Sequence, residues 1–126
     1  MMIDQKHLHL STVAKDWELN FKEPMLQKEV VRRVNRLFKD VTTALEREGC
    51  RFIGHIKALL DAGDVGQIFF SVTRFGQEPR RKGMLKGGLA NGCLTINVIV
   101  PDVPQNIVEK ITMEAFKRRF DSDIRS

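Results

Sequence analysis

Between Leu26 and Leu45 the chain places Leu26, Val30, Val34, Leu37, Phe38, Val41 and Leu45 at three- and four-residue steps, the spacing that lines up one face of an α-helix. A helix with a single apolar stripe must lay that stripe against a partner layer, and this requirement limits the architectures open to the chain. Pro24 suits the first helical turn, where a missing N–H costs nothing. Gly49 suits the end, because glycine enters the left-handed conformation without a Cβ penalty.

The partner layer is legible downstream. Phe52, Gly54, Ile56, Ala58 and Leu60 alternate with Ile53, His55, Lys57 and Leu59, which predicts a strand with the first set facing the core. Turn residues from Ala62 to Gly66 then lead to Ile68, Phe70 and Val72, a second strand of the same polarity. Leu94, Ile96, Val98 and Val100, alternating with Cys93, Thr95, Asn97 and Ile99, mark a third. Pro101 to Gln105 combines a strand stop with a capping pattern, in which Asp102 accepts from early helical amides and Gln105 reaches back three residues. Ile107, Val108, Ile111, Ala115, Phe116 and Phe120 form the stripe of a second helix.

The expected fold is therefore α+β: a two-layer sandwich with an antiparallel sheet of three or four strands and two helices on one face. Residues 1–23 read as an extended N-terminal segment, strand-forming in the short alternating stretches His7 to Leu10 and Trp17 to Phe21. Residues 24–120 form the domain, and 121–126 a frayed charged tail. With 126 residues, 42% of them hydrophobic and 29% charged, one domain is expected. No apolar run approaches the roughly 20 residues of a membrane span, and the first residues lack the pattern of a secretory signal, so a cytoplasmic protein is expected. Cys50 and Cys93 have no metal-type spacing, and both are expected to be thiols, Cys50 as buried packing.

Function has to be sought on the sheet face turned away from the helices. It would show Ile53, His55, Lys57 and Leu59, then Phe69, Ser71, Thr73 and Phe75, then Cys93, Thr95, Asn97 and Ile99. So mixed a face needs a cover, supplied by the N-terminal segment, a second subunit or a partner domain. His55 and Cys93 are the candidate metal ligands, joined by His7 and His9 if that segment is a strand. The connection from Gly76 to Gly92 carries Arg80, Arg81, Lys82 and Lys86 against Glu78 alone. It matches neither the phosphate-binding loop nor the dinucleotide fingerprint, so a solvated hairpin loop competes with an anion-binding one. Lys28, Arg32, Arg36 and Lys39 form a second basic line along the first helix. There is no Gly-x-Ser-x-Gly elbow, His-Glu-x-x-His or Cys-x-x-Cys, and Asp61 with Asp64 near a turn reads as turn chemistry.

Ile53 to Leu59, Phe70 to Thr73, Leu94 to Val100 and the closing helix together resemble the region that follows the GTPase domain in some CobW-type proteins. The resemblance covers about half the chain and implies a free-standing accessory module linked to metal or cobalamin handling, with His55 and Lys57 as the positions it singles out. The phosphate-binding loop of a CobW-type GTPase is missing. The sequence therefore points to a binding domain rather than an enzyme, presenting His55, Lys57, Phe69 and Phe75 or the basic loop to a partner. That partner is a second copy of the chain or another protein, with a nucleic acid or phosphorylated ligand as the alternative. The residues identify no cofactor.

Overall fold

The computed structural model of the chain describes residues 10–120. They form five strands and two helices in the order β1 (Leu10–Met25), α1 (Gln27–Arg47), β2 (His55–Asp61), β3 (Gly66–Val72), β4 (Arg80–Leu85), β5 (Leu89–Pro101) and α2 (Gln105–Phe120). The strands make one antiparallel sheet in the order β1-β5-β2-β3-β4, with both helices on the same face. This is the expected two-layer α+β sandwich, with five strands in place of three or four. The additional strands are β1, the single 16-residue strand that takes up the described part of the N-terminal segment, and β4, which lies inside the stretch expected to be a loop.

Alternation determines the layers. Ile56, Ala58 and Leu60, Ile68, Phe70 and Val72, and Leu94, Ile96, Val98 and Val100 are all buried beneath the helices. Phe38 of α1 meets Phe70 of β3 at 6.2 Å, while Trp17 of β1 stacks on Phe116 of α2 at 3.8 Å and 6°. Phe120 continues that stack at 5.2 Å from Phe116. The two helices thus cover opposite halves of the sheet, α1 over β3 and α2 over β1. They are tied together by Arg119 of α2, which donates two hydrogen bonds to the Asp40 carboxylate of α1 at 2.6 and 2.9 Å.

Several local expectations are corrected. Pro24 ends up in β1 rather than in the first helical turn, and Leu26, just before α1, is 71% exposed instead of in the stripe. An edge strand tolerates the proline because no neighbour requires its N–H, and the register of β1 with β5 shifts between Asn20 and Met25. Phe52 is exposed and Ile53 buried, the reverse of the expected phase. The strand begins only at His55, so alternation cannot be extended back across Gly54. Gly49 does terminate α1, with φ at +87° and its N–H on Glu46 O.

Gln105 does not reach back to Asp102 as a cap. Its carboxamide accepts from Thr12 N at 2.9 Å and donates to Thr12 O, taking the place of a neighbouring strand along the free edge of β1. Gln27 does the same kind of work at the other edge, accepting from Leu85 N of β4 at 2.7 Å. Each helix therefore opens with a glutamine that satisfies backbone groups of an edge strand, which blunts both edges against pairing with another sheet. Positive-φ glycines let β4 lie close to β3. A Cβ on Gly66 would fall 2.3 Å from Met84 O, and one on Gly83 2.2 Å from Gln67 O.

Candidate functional site: the open sheet face

Because both helices occupy one side, no described element lies over the other. Strand pairing arranges the side chains of this open face in rows running from β1 to β4. Glu18, Cys93, Asp61, Gln67 and Met84 make one row. Asp16, Thr95, Leu59, Phe69 and Lys82 make the next, and Ala14, Asn97, Lys57, Ser71 and Arg80 the third. A shallow hollow of about 650 Å³ opens at the centre, lined by side chains that include Lys57, Leu59, Phe69, Ser71, Arg80, Lys82, Thr95 and Asn97. Phe69 is 53% exposed and Leu59 half-buried.

Charge on this face is sorted by position. The carboxylates of Asp16 and Glu18 stand on β1 and the cations of Arg80 and Lys82 on β4, all four exposed. Four strand spacings separate the two edges, roughly 19 Å, about twice the Debye length at physiological salt. The acidic and basic edges therefore cannot neutralise one another within one copy. Asp61 is occupied locally: its carboxylate accepts from Gln67 Nε2 at 3.0 Å and Gly63 N at 2.9 Å, and these hydrogen bonds hold its pKa below the ordinary carboxylate value. It is turn chemistry, as expected, and not half of a catalytic pair.

The structure brings some of the sequence-derived candidates together and separates others. Lys57, Phe69, Arg80 and Lys82 converge on the hollow, and Arg81 contributes to its wall, although Arg81 pairs with Phe70 and so alternates towards the helix side. Phe75 does not belong to this face, since it lies beyond β3 and packs against the core. Lys86 sits past the end of β4, where its N–H bonds Val65 O, away from the hollow. Ile53 is buried, so the apolar part of the face reduces to Leu59, Phe69, Ile99 and the exposed Met84 and Leu10. The N-terminal segment does not cover the face over residues 10–23, because β1 lies in the plane of the sheet as its edge strand.

His55 pairs with Ile99 on β5, whereas Cys93 pairs with Asp61, six residues further along β2. At about 3.3 Å per residue they stand roughly 20 Å apart and cannot share an ion. No group of three or more His, Cys, Asp or Glu side chains converges among the described residues. His7 and His9 lie outside the described residues. Both cysteines are free thiols. Cys50 is buried, donates towards Phe52 O at 3.0 Å, and has its pKa pushed up by that burial.

What sequence reasoning missed is the acidic edge. Asp16 and Glu18 carry no motif, and they become part of this face only once β1 pairs with β5. Their two-residue spacing in an extended segment was the available signal.

The class defined by these features is a two-layer α+β domain with an open, charge-sorted antiparallel face. No family model matches the chain and no curated protein matches it. Two solved structures overlap it: the Zn(II)-bound YjiA GTPase from E. coli, at TM-score 0.41 and 17% identity, and a Zn(II)-bound triple mutant of YjiA, at 0.39 and 16%. Each overlap covers 84% of this chain and 29% of the other, so the chain spans less than a third of the length of these GTPases. YjiA is a CobW-family GTPase. The values record a partial overlap of elements, and neither ligand nor activity passes from them to this chain.

Proposed function

We propose that the chain is a non-enzymatic binding module that self-associates through its open sheet face, two copies packing face to face about a two-fold axis parallel to β2. The observation that carries this reading is the charge order across the rows. Such an axis sets β1 of one copy over β4 of the other and keeps each row over itself, so that Asp16 faces Lys82 of the partner, Glu18 lies one row from that same lysine, and Leu59 meets its own copy at the centre. Sheets packed in this way keep their strands within about 30° of one another, which preserves the match. Pairing by the edges is the less favourable alternative, because Gln27 and Gln105 occupy edge groups and Arg80, Arg81 and Lys82 would repel across a β4 pair.

The same charge order weighs against a polyanion on this face. Its three central rows hold three cations, Lys57, Arg80 and Lys82, and three carboxylates, Asp16, Glu18 and Asp61. A phosphate chain lying across them would be repelled at the β1 side as strongly as it is attracted at β4. Five strands about 4.8 Å apart and some six residues deep bury on the order of 500 Å² per copy, the low end of specific interfaces, so association in the micromolar range is expected. Two like-charge contacts at the axis oppose it. Lys57 meets its own copy and has to swing its ammonium to the rim, which its four-carbon stem permits, and Asp61 meets its own copy with its carboxylate drawn towards Gln67 and Gly63.

The accessory role in metal or cobalamin handling that the family resemblance implies finds no ligand set among the described residues, and the reading of self-association does not depend on it. Static light scattering from about 1 to 200 μM tests the proposal. A rise towards twice the monomer mass is expected, and a monomer throughout that range would contradict it.

A further inference from the structure

The helical side of the molecule carries a second charged surface, unrelated to the open sheet face. Between α1 and the end of α2 lies a hollow of about 620 Å³ lined by Arg36, Lys39, Asp40, Arg47, Arg118 and Arg119, together with Thr43 and Ala44. Five of these side chains are cationic and one is a carboxylate. Asp40 is already engaged, taking two hydrogen bonds from Arg119 and an ion pair with Arg118 at 3.5 Å. Arg36, Lys39 and Arg47 are exposed and form no ion pair with a described residue. Among the described residues the hollow thus keeps a surplus of positive charge.

We infer that this groove binds the phosphate backbone of a nucleic-acid duplex without reading its sequence. Arg36 to Arg47 spans eleven residues of helix, roughly 16 Å, which is longer than one phosphate group and comparable with the rise of about five base pairs along a duplex axis. Residues 36, 39 and 47 fall on one side of α1, and Arg118 extends the line from α2. No aromatic side chain lines the groove, so nothing there stacks on an unpaired base, which favours backbone contact over single-strand recognition. Among the described residues no large exposed hydrophobic side chain lines it either, which removes the insertion that a helix bound to a lipid surface relies on. The groove and the open sheet face lie on opposite sides of the molecule, so this binding does not require self-association.

The test is fluorescence anisotropy of a labelled 20-base-pair DNA duplex of arbitrary sequence, measured against salt. With Arg36, Lys39, Arg47 and Arg118 each neutralising a phosphate, log affinity should fall against log salt with a slope near −3.6, a loss of about 100-fold between roughly 50 and 200 mM. The variant Arg36→Gln/Lys39→Gln/Arg47→Gln changes only exposed side chains and keeps the Asp40–Arg119 pair. It should bind at least tenfold more weakly at low salt and flatten the slope towards −1. Arg80→Gln/Lys82→Gln should bind as the parent does. The inference is overturned by no binding at low salt, by a triple variant that binds like the parent, or by tighter binding to vesicles containing phosphatidylserine than to the duplex.

Discussion

The two faces of the sheet are built from the same strands, often from adjacent residues, yet they are organised on different principles. Under the helices, Ile56, Leu60, Ile68, Leu94, Ile96, Val98 and Val100 are wholly excluded from solvent, and their order across the sheet matters little so long as each is apolar and fills its space. On the open face, Leu59, Phe69 and Thr95 are flanked by carboxylates at one edge and cations at the other, so order is the property that counts. One face stores stability through burial. The other sorts its charges by position.

The largest effect should come from breaking the buried face. Phe116 is sandwiched between Trp17 and Phe120, and Phe116→Ala should lower the unfolding free energy by about 3–5 kcal/mol, read by urea denaturation. Phe69→Ala on the open face should change stability by no more than about 0.5 kcal/mol and abolish association in light scattering. A substantially destabilised Phe69→Ala would mean that this face contributes to the fold and would blur the contrast.

Next in size is the junction between β3 and β4, which supplies the basic edge. Gly83→Ala places a Cβ against Gln67 O at a φ of +99°, and should cost about 1–3 kcal/mol while weakening association, because it displaces Lys82 and Arg80. Gln105→Ala frees the backbone N–H and C=O of Thr12 and should cost about 1 kcal/mol, with faster aggregation than the parent in turbidity measurements.

The smallest effects separate groups by burial and pH. Burial raises the pKa of Cys50 and so keeps it a neutral thiol, and at mildly alkaline pH Ellman's reagent should modify Cys93 well before Cys50. Asp61 has a folded pKa below its unfolded value, so its contribution is present at neutral pH and lost as pH falls through the folded pKa. Asp61→Asn should therefore narrow the stability gap to the parent as pH drops below about 4, as shown by urea midpoints.

The buried face was readable from the chain because alternation and helical spacing are one-dimensional signals. They placed Ile56, Phe70, Val98 and the α1 stripe correctly, and failed where an element ended, at Leu26 and Phe52. The open face was only partly readable. Lys57, Phe69, Arg80 and Lys82 were singled out for being unusual one at a time, but their convergence depends on β4 pairing with β3, and β4 was taken for a loop because glycine and charge dominate it. Asp16 and Glu18 escaped notice since their meaning comes from lying four strand spacings across the sheet from Lys82. Which residues share a row is set by the order β1-β5-β2-β3-β4, and local sequence does not encode that order.

Complementary charge swaps test the central claim most directly. Sedimentation equilibrium of Asp16→Lys and of Lys82→Glu, each alone, should show a monomer where the parent associates, because each change sets like charges against each other in the paired copies. The double variant Asp16→Lys/Lys82→Glu restores opposite charges at the same two contacts and should recover the dimer. A double variant as monomeric as either single one would contradict face-to-face pairing of β1 with β4.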